Sequence, residues 1–120
     1  MTRLTLRVDF SDGLRLGPGK ARLLELIEQH GSISAAGRGM EMSYRRAWLL
    51  IDSLNRGFKE PLVTTRPGGR GGGGAELSSF GRMVVETYRA MESEAAAAVR
   101  TRLHGLEQVR AEKSPQPAGP

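Results

Sequence analysis

Six of the seven residues from Gly68 to Gly74 are glycine, interrupted only by Arg70. A tract of this kind has no side chains to bury and wide backbone freedom, so it excludes a core element there and divides the folding part of the chain. Before it, Leu62-Val63-Thr64-Thr65-Arg66 has the β-branched content of a strand, and after it Ala75-Glu76-Leu77 offers a return partner. Together they predict a hairpin with a long tip, a wing, on which Arg66 and Arg70 place positive charge. The phosphate-cradling loop of nucleotide enzymes is a poor reading, because it needs Gly-Lys-Ser/Thr directly ahead of a helix and Gly74 is followed by Ala75-Glu76-Leu77.

Upstream of the wing, Leu4, Leu6, Val8 and Phe10 alternate with Thr5, Arg7 and Asp9, which predicts a half-buried strand ending at the Ser11-Asp12-Gly13 turn. A first helix is expected over Lys20 to His30, with Ala21, Leu23, Leu24 and Ile27 on one face and Gly31 as its left-handed cap. Ser32 or Ser34 then caps a short helix through Met40, Glu41 and Met42 make a tight connection, and Ser43 caps a helix from Tyr44 to about Gly57. Ala47, Ile51, Leu54 and Phe58 repeat at four, three and four, the buried stripe of that helix. Gly37 and Gly39 fit the short helix less well, each costing up to about 1 kcal/mol relative to alanine.

After the wing, Ser78 or Ser79 caps a last helix from Phe80 to about Val109, and Ser114-Pro115-Gln116-Pro117 ends the order. Val84, Tyr88, Met91, Ala95, Val99, Leu103 and Leu106 lie mostly three or four apart, with a slip between Ala95 and Val99. A helix of about thirty residues spans roughly 45 Å, more than a small globule covers. Its far half therefore calls for a partner, and dimerisation through these seven residues is expected. Trp48 is expected to pack against the first helices or the dimer partner.

The whole chain has 120 residues and 13.0 kDa, one ordinary domain with a tail. It contains no cysteine, which removes disulfides, thiolate metal sites and cysteine nucleophiles. No apolar run is long enough to span a membrane, so no membrane partner and a cytoplasmic address are expected. His30 and His104 stand alone, without a nucleophile and base marked out beside them, and enzymatic function is not expected.

The charge is uneven. Residues 38 to 70 hold Arg38, Arg45, Arg46, Arg56, Lys59, Arg66 and Arg70 against Glu41, Asp52 and Glu60, a net of +4 out of the chain's +5. A basic segment within an otherwise near-neutral chain is the footprint of a nucleic-acid surface. A short helix, a tight turn and a second helix with arginines in its first turn is the helix-turn-helix arrangement. Ser43, Tyr44, Arg45 and Arg46 are accordingly expected in the major groove of double-stranded DNA, with an arginine on guanine and Ser43 at a phosphate. Ser32, Ser34 and Arg38 would hold flanking phosphates, and Arg66 and Arg70 the adjacent backbone or minor groove.

Gly31-Ser32-Ile33-Ser34-Ala35-Ala36, Ser43-Tyr44-Arg45-Arg46-Ala47-Trp48, and the Gly68 to Ala75 tract with Leu77 together resemble the DNA-binding domain of the ModE family of molybdate-responsive regulators, itself related to LysR-type domains. The resemblance covers about residues 3 to 100. It implies a mainly α (α+β) fold, a winged helix-turn-helix with a long C-terminal dimerisation helix, and a homodimer on an inverted-repeat operator that regulates transcription. The expected divisions are a DNA-binding domain over 1–78, a dimerisation helix over 79–110 and a disordered tail over 111–120. Family members continue into molybdate-binding domains with no counterpart in these 120 residues, so no cofactor, molybdate included, is expected on this chain. The alternative is a protein-interaction module that pairs with a longer regulator through the long helix.

Overall fold

The computed structural model describes residues 2–68 and 73–112. Its elements in chain order are β1 (Val8–Asp9), β2 (Arg15–Leu16), α1 (Pro18–His30), α2 (Ile33–Gly39), α3 (Tyr44–Gly57), β3 (Val63–Arg66), β4 (Gly74–Leu77) and α4 (Ser79–Gln108). This is a winged helix-turn-helix with a long C-terminal helix.

Three serines start three of the helices in the same way. The Oγ atoms of Ser32, Ser43 and Ser78 accept hydrogen bonds from the backbone N–H groups of Ala35, Arg46 and Gly81 at 3.0, 3.1 and 2.9 Å. Each satisfies a donor that the first helical turn leaves without a partner. α1 instead starts on Pro18, whose fixed φ suits the first helical position, and stops at Gly31 with φ 76°. The turn between α2 and α3 passes through Glu41 at φ 55°, a left-handed conformation that costs a side-chain-bearing residue roughly 1 kcal/mol.

The core is apolar throughout. Ala21, Leu23, Leu24 and Ile27 of α1 meet Ile33 and Ala36 of α2, Ala47, Ile51 and Leu54 of α3, and Leu62 and Val63 at the start of the wing. Gly37, awkward in the sequence, has a packing reason: a Cβ there would stand 3.2 Å from the Ala47 Cβ, so its absence lets α2 and α3 approach. Phe58 lies just past α3, half-buried, with its ring edge-on to Phe10 at 5.8 Å and to Phe80 at 6.2 Å.

The wing is antiparallel in the register Val63↔Leu77 to Arg66↔Gly74. Two side chains dock it on the helices. Asn55 of α3 accepts from the N–H groups of Leu62 (2.9 Å) and Val63 (3.2 Å) and donates to the Val63 carbonyl (3.0 Å). Glu28 of α1 accepts from the Leu77 N–H at 3.1 Å, while the Gly31 carbonyl accepts from the Ala75 N–H at 2.8 Å.

At the N-terminus the structure differs from the expected strand. Only Val8 and Asp9 pair, with Leu16 and Arg15 across a turn that Gly13 closes at φ 95°. The preceding residues run beside α4, where the Leu6 carbonyl accepts from the Tyr88 hydroxyl at 2.6 Å and Thr2 meets Glu107. Leu6 thus spends its acceptor on a helix rather than a sheet, and the alternation from Leu4 to Phe10 does not make a longer strand.

The first turns of α4 belong to the same core. Gly81 lies so close to the Leu62 carbonyl that a Cβ would collide with it, and Val84, Val85 and Tyr88 are buried. The first turns of α4, to about Tyr88, therefore pack as part of the globular unit. Past Tyr88 no residue of α4 is buried. The long axis is 58 Å and the radius of gyration 18.1 Å, against about 14 Å for a compact domain of this length.

Candidate nucleic-acid interface

The stripe of α3 that enters the core fixes what its other side presents. Ala47, Ile51 and Leu54 are buried, and at about 100° per residue the direction opposite to them is occupied by Arg45, Leu49 and Arg56. Tyr44 and Trp48 lie on one flank and Arg46 on the other. The expected reading set of Tyr44, Arg45 and Arg46 is therefore spread over more than half the helix circumference: Arg45 points outward, while its two neighbours border it.

Tyr44 and Trp48 face the wing. They line a cleft of about 420 Å³ together with Ser32, Ser34, Thr65 and Arg66. Trp48 remains 45% exposed in this cleft, beside the residues that open α2 rather than beneath the helices, which meet each other through Gly37 and Ala47. Across the cleft the Arg66 guanidinium lies over Gly74, held there by the register of the hairpin. Arg70 lies outside the described residues.

The two serines of α2 are differently engaged. Ser32 is the helix cap already described, and the Ser34 Oγ accepts from the Arg38 guanidinium at 2.8 Å, one turn on. Ser43 likewise accepts from the Arg46 N–H, so each of these hydroxyls keeps its own hydrogen to donate to an anion.

The turn before α3 and the wing also carry carboxylates, Glu41 and Glu76, but neither is ion-paired with these cations. On the α1–α4 side, Arg89 holds Glu25 through two hydrogen bonds at 2.8 and 3.0 Å and Glu92 at 2.7 Å, and Arg82 pairs with Glu28 at 2.9 Å. The hydrogen bond from Arg89 holds the Glu25 carboxyl below its ordinary range, and that from Arg82, with the Leu77 N–H, does the same for Glu28. Arg56 is tied to Asp52 at 3.1 Å. Arg38, Arg45, Arg46 and Arg66 have no carboxylate partner among the described residues. Four guanidiniums without an ion-pair partner are thus carried by α2, the first turn of α3 and the wing, around the N-terminal, electropositive end of α3.

The seven positions expected to form a dimer face divide in two. Val84 and Tyr88 are consumed by the core of their own chain, and burial, reinforced by nearby Glu92, pushes the Tyr88 phenol up to about 12. Met91, Ala95, Val99, Leu103 and Leu106 lie beyond that core, half-buried or exposed, with Leu106 65% exposed. The helical period alone does not distinguish a stripe facing its own core from one facing another chain.

Two side chains on this side were not singled out by the sequence. Leu49 is 48% exposed on the outward face of α3 and completes no apolar stripe. Asn55 sets the wing beside α3 through its bonds to Leu62 and Val63, which no local pattern marks. His30 and His104 are both exposed, one on α1 and one on α4. Among the described residues no group of three His, Asp or Glu side chains gathers as a metal site, and no helix is long and apolar enough to cross a membrane.

Comparison with known proteins places the arrangement among regulators. The chain is 42% identical over 99 residues to the molybdenum transport protein ModE of Azotobacter vinelandii, covering 82% of this chain and 36% of that protein. It is 40% identical over 78 residues to the molybdenum-pterin-binding protein MopA of Rhodobacter capsulatus, 65% of this chain and 29% of that one. With the DNA-binding transcriptional dual regulator ModE of Escherichia coli K12 it shares 33% identity over 85 residues, 71% of this chain and 32% of the regulator. The chain spans about a third of the length of these curated relatives. No protein-family profile matches it.

Proposed function

The chain belongs among the homologues of the ModE regulators, and from that premise we propose that it is a sequence-specific DNA-binding unit that acts on transcription as a homodimer. The observation that carries this reading is the group of Arg38, Arg45, Arg46 and Arg66 on α2, the first turn of α3 and the wing, none of them in an ion pair among the described residues. Polyanionic backbone is the partner that such a surface fits.

In this reading α3 enters the major groove with Arg45 foremost, its fork matched to guanine O6 and N7. Arg46 and Arg38 lie to the sides, where phosphates run, and Ser34 steadies the Arg38 guanidinium. The hydroxyls of Ser32 and Ser43 donate to phosphate oxygens, and Arg66 reaches the backbone or minor groove next to the wing, with Arg70 following from the sequence alone. Met91, Ala95, Val99, Leu103 and Leu106 supply the contact with a second copy. A two-fold dimer reads an inverted repeat with half-sites about 34 Å, one helical turn, or a multiple of it, apart. No molybdate site is assigned to these residues, so the ion is expected to leave DNA affinity unchanged.

Selection of bound duplexes from a random library at about 150 mM salt, with and without molybdate, tests the reading. Enrichment of one inverted repeat under both conditions is the expected result. Binding without any sequence preference would sink it, and binding only in the presence of a longer regulator would favour the interaction-module alternative.

A further inference from the structure

Leu49 has no structural reason to be a leucine. The buried stripe of α3 is complete with Ala47, Ile51 and Leu54, and Leu49 lies on the opposite side with about half its surface in water. It borders a shallow groove with Asp12 and Leu14 of the β1–β2 turn and with Asp52, Ser53 and Gly57 of α3; Asp52 is held by Arg56, and the groove leaves the outward surface of Leu49 uncovered. Its neighbours one turn before and two turns after are Arg45 and Arg56, and only Arg56 has a carboxylate partner. A large apolar side chain one helical turn from an unpaired guanidinium, on the outermost line of the helix, is suited to a surface that offers both anionic acceptors and an isolated apolar group.

The major groove is such a surface. Its base edges are polar except for the thymine C5-methyl, which is the one apolar group a duplex presents there. Residues four apart on a helix have Cβ atoms about 6 Å apart, so Arg45 and Leu49 reach base pairs one or two steps from each other. We propose that Leu49 reads thymine through its methyl group, within two base pairs of a guanine contacted by Arg45. The proposal rests on the DNA-binding reading and adds to it a specificity-determining residue. Tyr44 and Trp48, which line the wing-side cleft, are assigned to the flank of the groove instead.

The test replaces, one at a time, each thymine of the selected duplex by uracil, which removes the methyl and nothing else. Dissociation constants are then measured for the full chain and for Leu49→Ala. For the unsubstituted protein, one or two uracil positions per half-site are expected to weaken binding about threefold to fivefold, the scale of one buried methyl. Leu49→Ala is expected to lose a similar factor on the thymine duplex and to bind thymine and uracil versions equally at those positions. Retention of the thymine preference by Leu49→Ala overturns the assignment, as does its loss in Trp48→Phe alone. Specific binding with no uracil effect anywhere sinks the methyl contact but leaves the DNA-binding reading standing, whereas absence of specific binding sinks both. The uracil substitution leaves the protein untouched, so a folding defect in the variant does not decide the outcome.

Discussion

The outward face of α3 and the far half of α4 both expose large apolar side chains, yet their surroundings differ. Leu49 and Trp48 stand one helical turn from the unpaired Arg45, on a helix whose other side is anchored in the core and whose neighbour is a docked wing. Leu106 and, at its C-terminal cap, Val109 belong to a helix that has left the core, with Thr2 meeting it at Glu107. Exposed apolar surface mixed with free positive charge and rigidly supported suits a charged ligand with apolar points. Exposed apolar surface at a helical period, with ion pairs such as Arg110–Glu107 at 3.5 Å along its edge, suits another helix.

The sharpest break in this comparison runs through α4 itself, between Tyr88 and Met91. Tyr88→Ala removes a fully buried ring and its hydrogen bond to Leu6, and is expected to cost about 3 to 5 kcal/mol of stability at any protein concentration. Urea unfolding measures it, and a loss below about 1 kcal/mol would mean that the near half of α4 does not share the core. The double variant Leu103→Ala/Leu106→Ala tests the far half. It is expected to weaken dimerisation by about 3 kcal/mol, roughly hundredfold, while the unfolding of the monomer changes little. Light scattering that gives the 13.0 kDa chain mass for the unsubstituted protein would remove the dimer from the account.

The two regions also differ in how far their sequence could be read. Caps, turns and the wing depend on residues a few positions apart, and Ser32, Ser43, Ser78 and Gly31 act as their local patterns predict. That Arg45, Arg46 and Arg66 lie on a helix start and on a wing strand was legible for the same reason, whereas which way each points around α3 follows only from the packed stripe. Interactions that join distant segments were not legible. Glu28 meets Leu77 across 49 positions, and Tyr88 meets Leu6 across 82, and no local period announces either. Tyr88 shares its spacing with Leu103, so only the packed chain separates a core residue from one facing outward. Trp48 was legible only in part: its position, one residue past the buried Ala47, turns it toward the wing and the start of α2.

On the α3 side, substitutions separate a base contact from backbone contacts. Arg45→Ala is expected to cost about 1 to 3 kcal/mol of DNA affinity and to relax preference at one base position. Arg46→Ala, on the flank, is expected to weaken all sequences by a similar factor and to lower the salt dependence of binding by about one phosphate. Neither substitution removes an ion pair or a buried contact, so thermal stability should stay within about 0.5 kcal/mol. Equal losses for both variants on selected and random duplexes would remove base reading from the outward line of α3.

The smallest effect belongs to the carboxylates that make the other side of the molecule neutral. Glu25 and Glu28 are held below their ordinary value of 4.5 by hydrogen bonds from Arg89 and Arg82. A group whose pKa is lower in the folded chain than in the unfolded one stabilises the fold above the unfolded value, and that contribution fades as pH falls through the folded value. Both pairs are partly exposed, with side-chain accessibilities between 32% and 47%, which limits each to about 1 kcal/mol or less. The stability difference between the unsubstituted chain and Glu25→Gln/Glu28→Gln should therefore be constant from pH 7 to about 5.5 and shrink below pH 4.5. A difference that persists undiminished at pH 3, measured by urea unfolding, would show that the two glutamates act by packing rather than by charge, and the electrostatic contrast between the two sides of the molecule would lose its paired half.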